Sequence, residues 1–282
     1  MPLNPEILAV TYGVSSALSW GAGDFSGGFA ARRSGVLTVV LCSQLLGGLL
    51  LVGLAIVFEE PLAPMRSLFY AAAAGLAGAI GLIALYRGLA SGRMGIVAPL
   101  SAIVTAILPI TMAMMTEGPP GGYQMSGFGL ALIAVVLLSY EKSGSGLRWR
   151  EIGLPLIAGT GFGLFFILIN AAVQTGLLWP LVASRCASIC LVGGVLLVRR
   201  SAMPMPRSLW PWICLAGLLD TSGNAFFALA TQVGRLDISA VLASLYPAAT
   251  VLLAWLVLKE RLLHQQWMGV ATALFALALI TC

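Results

Sequence analysis

The sequence predicts an all-α membrane protein: ten transmembrane helices arranged as two inverted five-helix repeats. Hydrophobic residues make up 60% of the 282 residues and charged residues 9%, with a mean hydropathy of +1.00; soluble domains carry about 25% charge. Apolar runs follow one another with almost no chain between them, and the two halves repeat each other's glycine and aromatic positions. Nothing is left over for a soluble domain.

A helix needs about 20 apolar residues to cross the hydrocarbon core, and such runs fall at roughly 7–29, 36–58, 68–90, 94–116, 123–140, 152–175, 180–198, 209–233, 237–258 and 262–281. The first has no basic residue before it, carries Asp24 and ends in glycines. It lacks the charged start and small-residue cleavage site of a signal peptide and is read as a retained helix. The second and seventh contain the pairs Gly47-Gly48 and Gly193-Gly194, and the third reads AAAAGLAGAIG; small residues of this kind let helices approach closely in lipid. Pro99, Pro109 and Pro247 lie inside spans, where a missing N–H kinks a helix and frees carbonyls that neighbours or a water-filled cavity must satisfy. They are the expected hinges of half-helix gates.

The one long polar interval, Glu141 to Glu151, has the Ser/Gly content of a flexible link. It separates a first repeat (1–140) from a second (152–282), with 141–151 as linker. Aligning the halves pairs Gly13 with Gly159, Trp20 with Phe166, Gly75 with Gly217, Gly81 with Gly223, and Gly92-Arg93 with Gly234-Arg235. Five helices per repeat is an odd number, so the second copy enters the membrane from the opposite side. Inverted repeats of this kind build alternating-access transporters, with the substrate site between them near the midplane.

The +5 net charge and pI near 9.2 do not mark a nucleic-acid binder, because of where the charges fall. Loops after odd-numbered helices hold Arg32, Arg33, Arg93, Lys142, Arg148, Arg150, Arg199, Arg200, Arg207, Lys259 and Arg261, while loops after even-numbered ones hold only Arg66 and Arg235. The positive-inside bias places the odd loops in the cytoplasm and both termini outside. Cys42, Cys186, Cys190, Cys214 and Cys282 fall in or at the end of apolar runs without CxxC spacing, and read as small core residues rather than disulfides or metal ligands.

The last hairpin is the most specific stretch: Leu245-Tyr246-Pro247, an apolar run closing on Lys259-Glu260-Arg261, then Gln266 and Gly269 opening the final helix. With Ser16, Trp20-Gly21 and Phe25 in the first helix and the VAPL run Val97 to Leu100, these residues resemble the EamA-type members of the drug/metabolite transporter superfamily. The resemblance covers both halves. It implies a ten-helix carrier of small organic molecules, and single-chain bacterial forms of this size include exporters of amino acids, aromatic ones among them; a bacterial inner-membrane location follows from the same resemblance. The first-half hairpin departs from the pattern, with Glu117 followed by Gly118-Pro119-Pro120-Gly121-Gly122, and its turn is expected to be looser.

Ionisable groups inside membrane helices are functional candidates, since facing lipid costs them at least about 2.5 kcal/mol. They are Asp24, Arg87, Arg185 and Asp220; the glutamates and lysines sit at helix ends or in loops. So few cations suit a phosphate-bearing solute poorly, and a cationic-drug exporter coupled to protons would have only Asp24 or Asp220 to use. A neutral or zwitterionic solute such as an amino acid fits better; the proton-coupled exporter is the alternative. Asp24 and Arg87 are expected at the cytoplasmic ends of helices 1 and 3, either as a structural pair or as a gate. Asp220 falls about 16 Å along helix 8, near the midplane, with Asn224 one turn on; this face is either substrate site or an interhelical hydrogen-bond cluster. Arg185 is placed one turn inside an end of helix 7, where its side chain would snorkel. Gln44 and Asn170 are buried amides in need of partners. The expected pathway is Trp20, Gln44, Tyr86, Phe166, Asn170, Asp220, Asn224 and Tyr246, with Phe165, Phe226 and Phe227 as further aromatic candidates. With His264 the only histidine, the cluster that membrane-embedded enzymes need is missing. No cofactor or metal is expected; the partners are a small-molecule substrate and the bilayer, with no nucleic acid, and two repeats in one chain suffice for a monomer.

Overall fold

A computed structural model of the chain describes residues 5–90, 94–138, 149–199, 205–258 and 263–280. Arg93, Arg200, Cys282, the Lys259-Glu260-Arg261 turn and the linker up to Arg148 lie outside the described residues.

Each apolar run is an α-helix, the form that satisfies every backbone group within one segment in lipid. The first repeat comprises α1 (Pro5–Ala31), α2 (Val36–Val57), α3 (Met65–Ala90), α4 (Met94–Thr116) and α5 (Gly122–Leu138). The second comprises α6 (Trp149–Ala172), α7 (Leu178–Arg199), α8 (Trp210–Val233), a ninth span in two pieces, α9 (Leu236–Ala243) and α10 (Tyr246–Leu258), and α11 (His264–Ile280). Val36–Val57, Met65–Leu89, Ile152–Thr175, Leu178–Arg199 and Arg207–Val233 are long and apolar enough to cross a membrane; Leu100–Thr116, Gly122–Leu138 and Leu236–Thr250 are shorter apolar helices. The last residues of the expected linker, Trp149 to Glu151, already form the first turn of α6.

The ninth span breaks at Ser244-Leu245. Pro247 has no N–H to give, and around it the chain tightens: Leu245 N–H bonds Leu242 O at 3.1 Å and Ala248 N–H bonds Leu245 O at 2.9 Å. No such break occurs in α4, which contains both Pro99 and Pro109 within one continuous helix.

The helix pairings reveal the symmetry. α1 packs on α8 and α3 on α6; α3 packs on α7 and α2 on α8; α4 packs on α6 and α1 on the two halves of the ninth span. Each of these couples is one contact made twice, once in each sense, as an inverted pseudo-two-fold requires. The remaining large pairings, α2 with α7 and α5 with α11, join a helix to its own counterpart. Glycines that pair in the sequence stand at equivalent crossings: a Cβ at Gly75 of α3 would lie 2.0 Å from the Ser184 carbonyl of α7, and one at Gly217 of α8 would lie 2.6 Å from the Ser43 carbonyl of α2. Backbones touch there, so side chains cannot fit.

Two large apolar clusters form most of the packed interior. One gathers Leu51, Phe165, Ile169, Leu181 and Phe227, the other Val39, Leu85, Val192 and Ile213. Cys186 and Cys190 are exposed, a correction to their expected core position: between helices and lipid there is little hydrophobic preference for either side, so a small apolar residue can face outward.

On the side of the α2–α3 and α6–α7 connections, Glu60 crosses between repeats. Its carboxylate accepts the backbone N–H groups of Leu177, Leu178 and Trp179 at 3.0, 2.8 and 3.2 Å, and the Trp179 indole donates to its carbonyl at 2.7 Å. These are orphan donors of the α7 N-terminus, where a negative charge also meets the helix dipole. Glu60→Ala is expected to cost about 1–2 kcal/mol, read as a lowered unfolding midpoint of the purified protein; Glu60→Gln, which keeps an acceptor, should lose less. An unchanged midpoint for Glu60→Ala would refute the cap.

A second tie lies on the same side. Arg235 holds fully buried Asp237 at 2.8 Å and reaches across to the Gly118 carbonyl at 2.8 Å. Asp237, in the first turn of α9, is thus paired with the residue just ahead of that helix, which answers the cost of burying a carboxylate.

Candidate functional site

The site grows from three helix faces that meet between the repeats. On α8, Asp220 and Asn224 are one turn apart and share a face; on α7, Arg185 lies about 10 Å past the start at Leu178; on α1, Trp20 and Asp24 are again one turn apart. All five line one cavity together with Gln44, Thr105, Phe162, Phe165, Phe166, Ser184, Ser188 and Tyr246. Gly75 and Gly78 of α3 form another part of the wall.

Arg185 is the centre of the polar network and is only 4% exposed. Its Nη1 stands 2.6 Å from an Asp220 carboxylate oxygen and donates to Gln44 Oε1, while Nη2 donates to Thr221 Oγ1 at 3.3 Å. This corrects the snorkelling expectation. α7 begins earlier than the apolar run suggested, so Arg185 sits deeper, and its charge is met by Asp220 and Gln44 rather than by the membrane surface. A buried charge needs such a partner and further hydrogen bonds to be tolerated.

Asp24 differs. It lines the cavity with Asp220, and its side chain has no hydrogen-bond partner or counter-ion among the described residues. The expected Asp24–Arg87 pair is not made: Arg87 is exposed in the last turn of α3. Successive residues on a helix point about 100° apart, and it is the neighbouring Tyr86, 2% exposed, that turns inward. The Tyr86 hydroxyl lies against Gly27, where a Cβ would meet it at 2.0 Å. Tyr86 packs beside the site and does not line it.

The aromatic wall is a stack. Trp20 lies 5.3 Å from Phe166 at an interplanar angle of 11°, and Phe166 lies 4.1 Å from Phe227. Trp20 and Phe166 are counterparts in the repeat alignment, so their stacking puts them near the pseudo-two-fold axis. The Trp20 indole also donates to Asn224 Oδ1 at 3.1 Å, fixing the amide so that its N–H groups are left to other acceptors.

Of the expected pathway residues, the structure brings Trp20, Gln44, Phe166, Asp220, Asn224 and Tyr246 together, with Asp24. Asn170 stands apart near the end of α6, where its Oδ1 accepts from Gln174 at 3.2 Å. Phe226 stacks on Tyr12, 6.4 Å away and outside the cavity lining. Sequence reasoning did not single out Thr221, Ser188 or Thr105, since hydroxyls in apolar helices commonly bond their own backbone; nor did it weigh Asp237, although an adjacent Gly234-Arg235 was a usable signal.

The sequence matches the EamA-like transporter family over residues 7–140 and again over 149–282. The chain belongs to that family. It is a multi-pass membrane protein of a membrane transporter family, built from two EamA repeats. Among solved structures, one described only as the crystal structure of a protein superposes with a TM-score of 0.75 at 14% identity, covering 96% of this chain and 95% of that chain; at that identity it speaks for the fold alone. No curated protein matches the sequence. In this EamA-like chain the cavity surrounds charged groups from both repeats with aromatic ones.

Proposed function

We propose that the chain is a secondary transporter that exports amino acids, or similar small neutral or zwitterionic metabolites, across a bacterial inner membrane by alternating access between its repeats. The observation that carries this reading is the composition of the inter-repeat cavity. A guanidinium, two carboxyl groups and the amides of Gln44 and Asn224 converge beside the Trp20–Phe166 stack. A zwitterion with an aromatic or apolar side chain is complementary to such a wall: its two charges meet fixed opposite charges, and its apolar part meets rings.

The test is efflux from proteoliposomes preloaded with labelled amino acids, with and without a pH gradient. Downhill efflux of a subset, phenylalanine included, is expected without any gradient. Absence of amino-acid flux alongside gradient-driven flux of a cationic dye would overturn the reading.

One observation favours that second possibility, a proton-coupled exporter of cationic compounds. Asp24 and Asp220 bring two carboxyl groups into a cavity with one arginine, so one carboxyl group has no arginine partner there. Under that reading Asp24→Asn abolishes resistance to cationic compounds and leaves amino-acid flux untouched.

A further inference from the structure

We propose that Arg185 presents its unoccupied edge as the seat of the substrate carboxylate, and that Asp24 is the seat of the ammonium group. The assignment rests on the amino-acid reading above. Three neighbours hold the guanidinium through its two terminal nitrogens: Asp220 and Gln44 at Nη1 and Thr221 at Nη2. The Nε–H has no acceptor among the described residues. Nε and the second N–H of Nη2 form the side-on fork that binds a carboxylate through two parallel hydrogen bonds. Asp220, Gln44 and Thr221 are therefore positioning residues: they fix the plane of the fork before a ligand arrives.

Ser188 adds to this seat. It lines the same cavity three residues beyond Arg185 on α7, and its buried hydroxyl has no partner among the described residues. Asp24, on α1, contributes the opposite charge. It has no counter-ion among the described residues, so a ligand ammonium supplies what this carboxylate lacks. Carboxylate and ammonium seats thus come from different repeats, Arg185 from the second and Asp24 from the first.

The test compares three probes on the full-length protein in lipid nanodiscs: L-phenylalanine, phenethylamine without the carboxylate, and 3-phenylpropionate without the ammonium. Arg185→Lys keeps the charge and removes the fork. It is expected to weaken phenylalanine and phenylpropionate about tenfold or more and to leave phenethylamine within about twofold. Asp24→Asn is expected to do the reverse, weakening phenylalanine and phenethylamine about tenfold while sparing phenylpropionate. The double variant Arg185→Gln with Asp220→Asn removes the ion pair without leaving a lone buried charge, and should repeat the Arg185→Lys pattern if the protein tolerates lysine poorly. Equal weakening of all three probes, or of none, overturns the assignment while phenylalanine binding to the unaltered protein preserves the amino-acid reading. Failure of the unaltered protein to bind phenylalanine or any other amino acid overturns both.

Discussion

Arg185→Gln is expected to abolish transport and to lower stability by about 3 kcal/mol, the lower part of the range for breaking a buried ion pair. Asp220 would lose its counter-ion, and Gln44 a hydrogen-bond donor. The lower figure applies because the Asp220 side chain is 23% exposed to the cavity and so keeps part of its solvation. Adding Asp220→Asn should return most of the stability, because replacing both members of a pair is far cheaper than orphaning one. Transport should not return with it. Unfolding midpoints and proteoliposome flux, measured on the same preparations, separate the two effects. A stable, fully active Arg185→Gln protein would show that the pair neither holds the helices nor serves the substrate.

What the sequence made legible was set by how local each feature is. The spans follow from residue-by-residue hydropathy, and the inverted repeat from duplicated glycines such as Gly75 and Gly217, whose equivalence the symmetric crossings then explain. Asp220, Asn224 and Trp20 could be picked out because a polar or bulky group deep in an apolar run is costly wherever it faces. Their partners could not. Arg185 was misplaced because its fate depends on an aspartate in the next helix and a glutamine in another repeat, while its own neighbourhood in the chain looked like a helix end. Arg87 was misassigned for a related reason: both it and Tyr86 stand at the right depth, and only the helix rotation decides which turns inward. Pro247 marks a true break while Pro99 and Pro109 ride within one helix, a difference of surroundings that the residue type does not encode.

Gly217→Ala should impair transport beyond what its loss of stability explains. The new Cβ would press within 2.6 Å of the Ser43 carbonyl, and at Gly75 within 2.0 Å of the Ser184 carbonyl. Neither acceptor can rotate away, since both are helix backbone, so the crossings must spread at a cost of about 2–3 kcal/mol each. Gly53 and Gly194 are the internal controls. Nothing lies within 4 Å of a Cβ at either, and alanine there should be neutral or stabilising by up to about 1 kcal/mol. Ser184 is followed by Arg185 and Ser43 by Gln44, so each glycine contact sets the register of a helix at the residue beside it. Spreading α3 from α7 or α8 from α2 therefore moves the guanidinium relative to Asp220 and Gln44, and a fork held by three neighbours loses its geometry with a shift of about 1 Å. Glu60→Ala, also destabilising and outside the cavity lining, provides the comparison: if Gly217→Ala retains as much flux per folded molecule as Glu60→Ala, the crossings serve stability alone and the register argument fails.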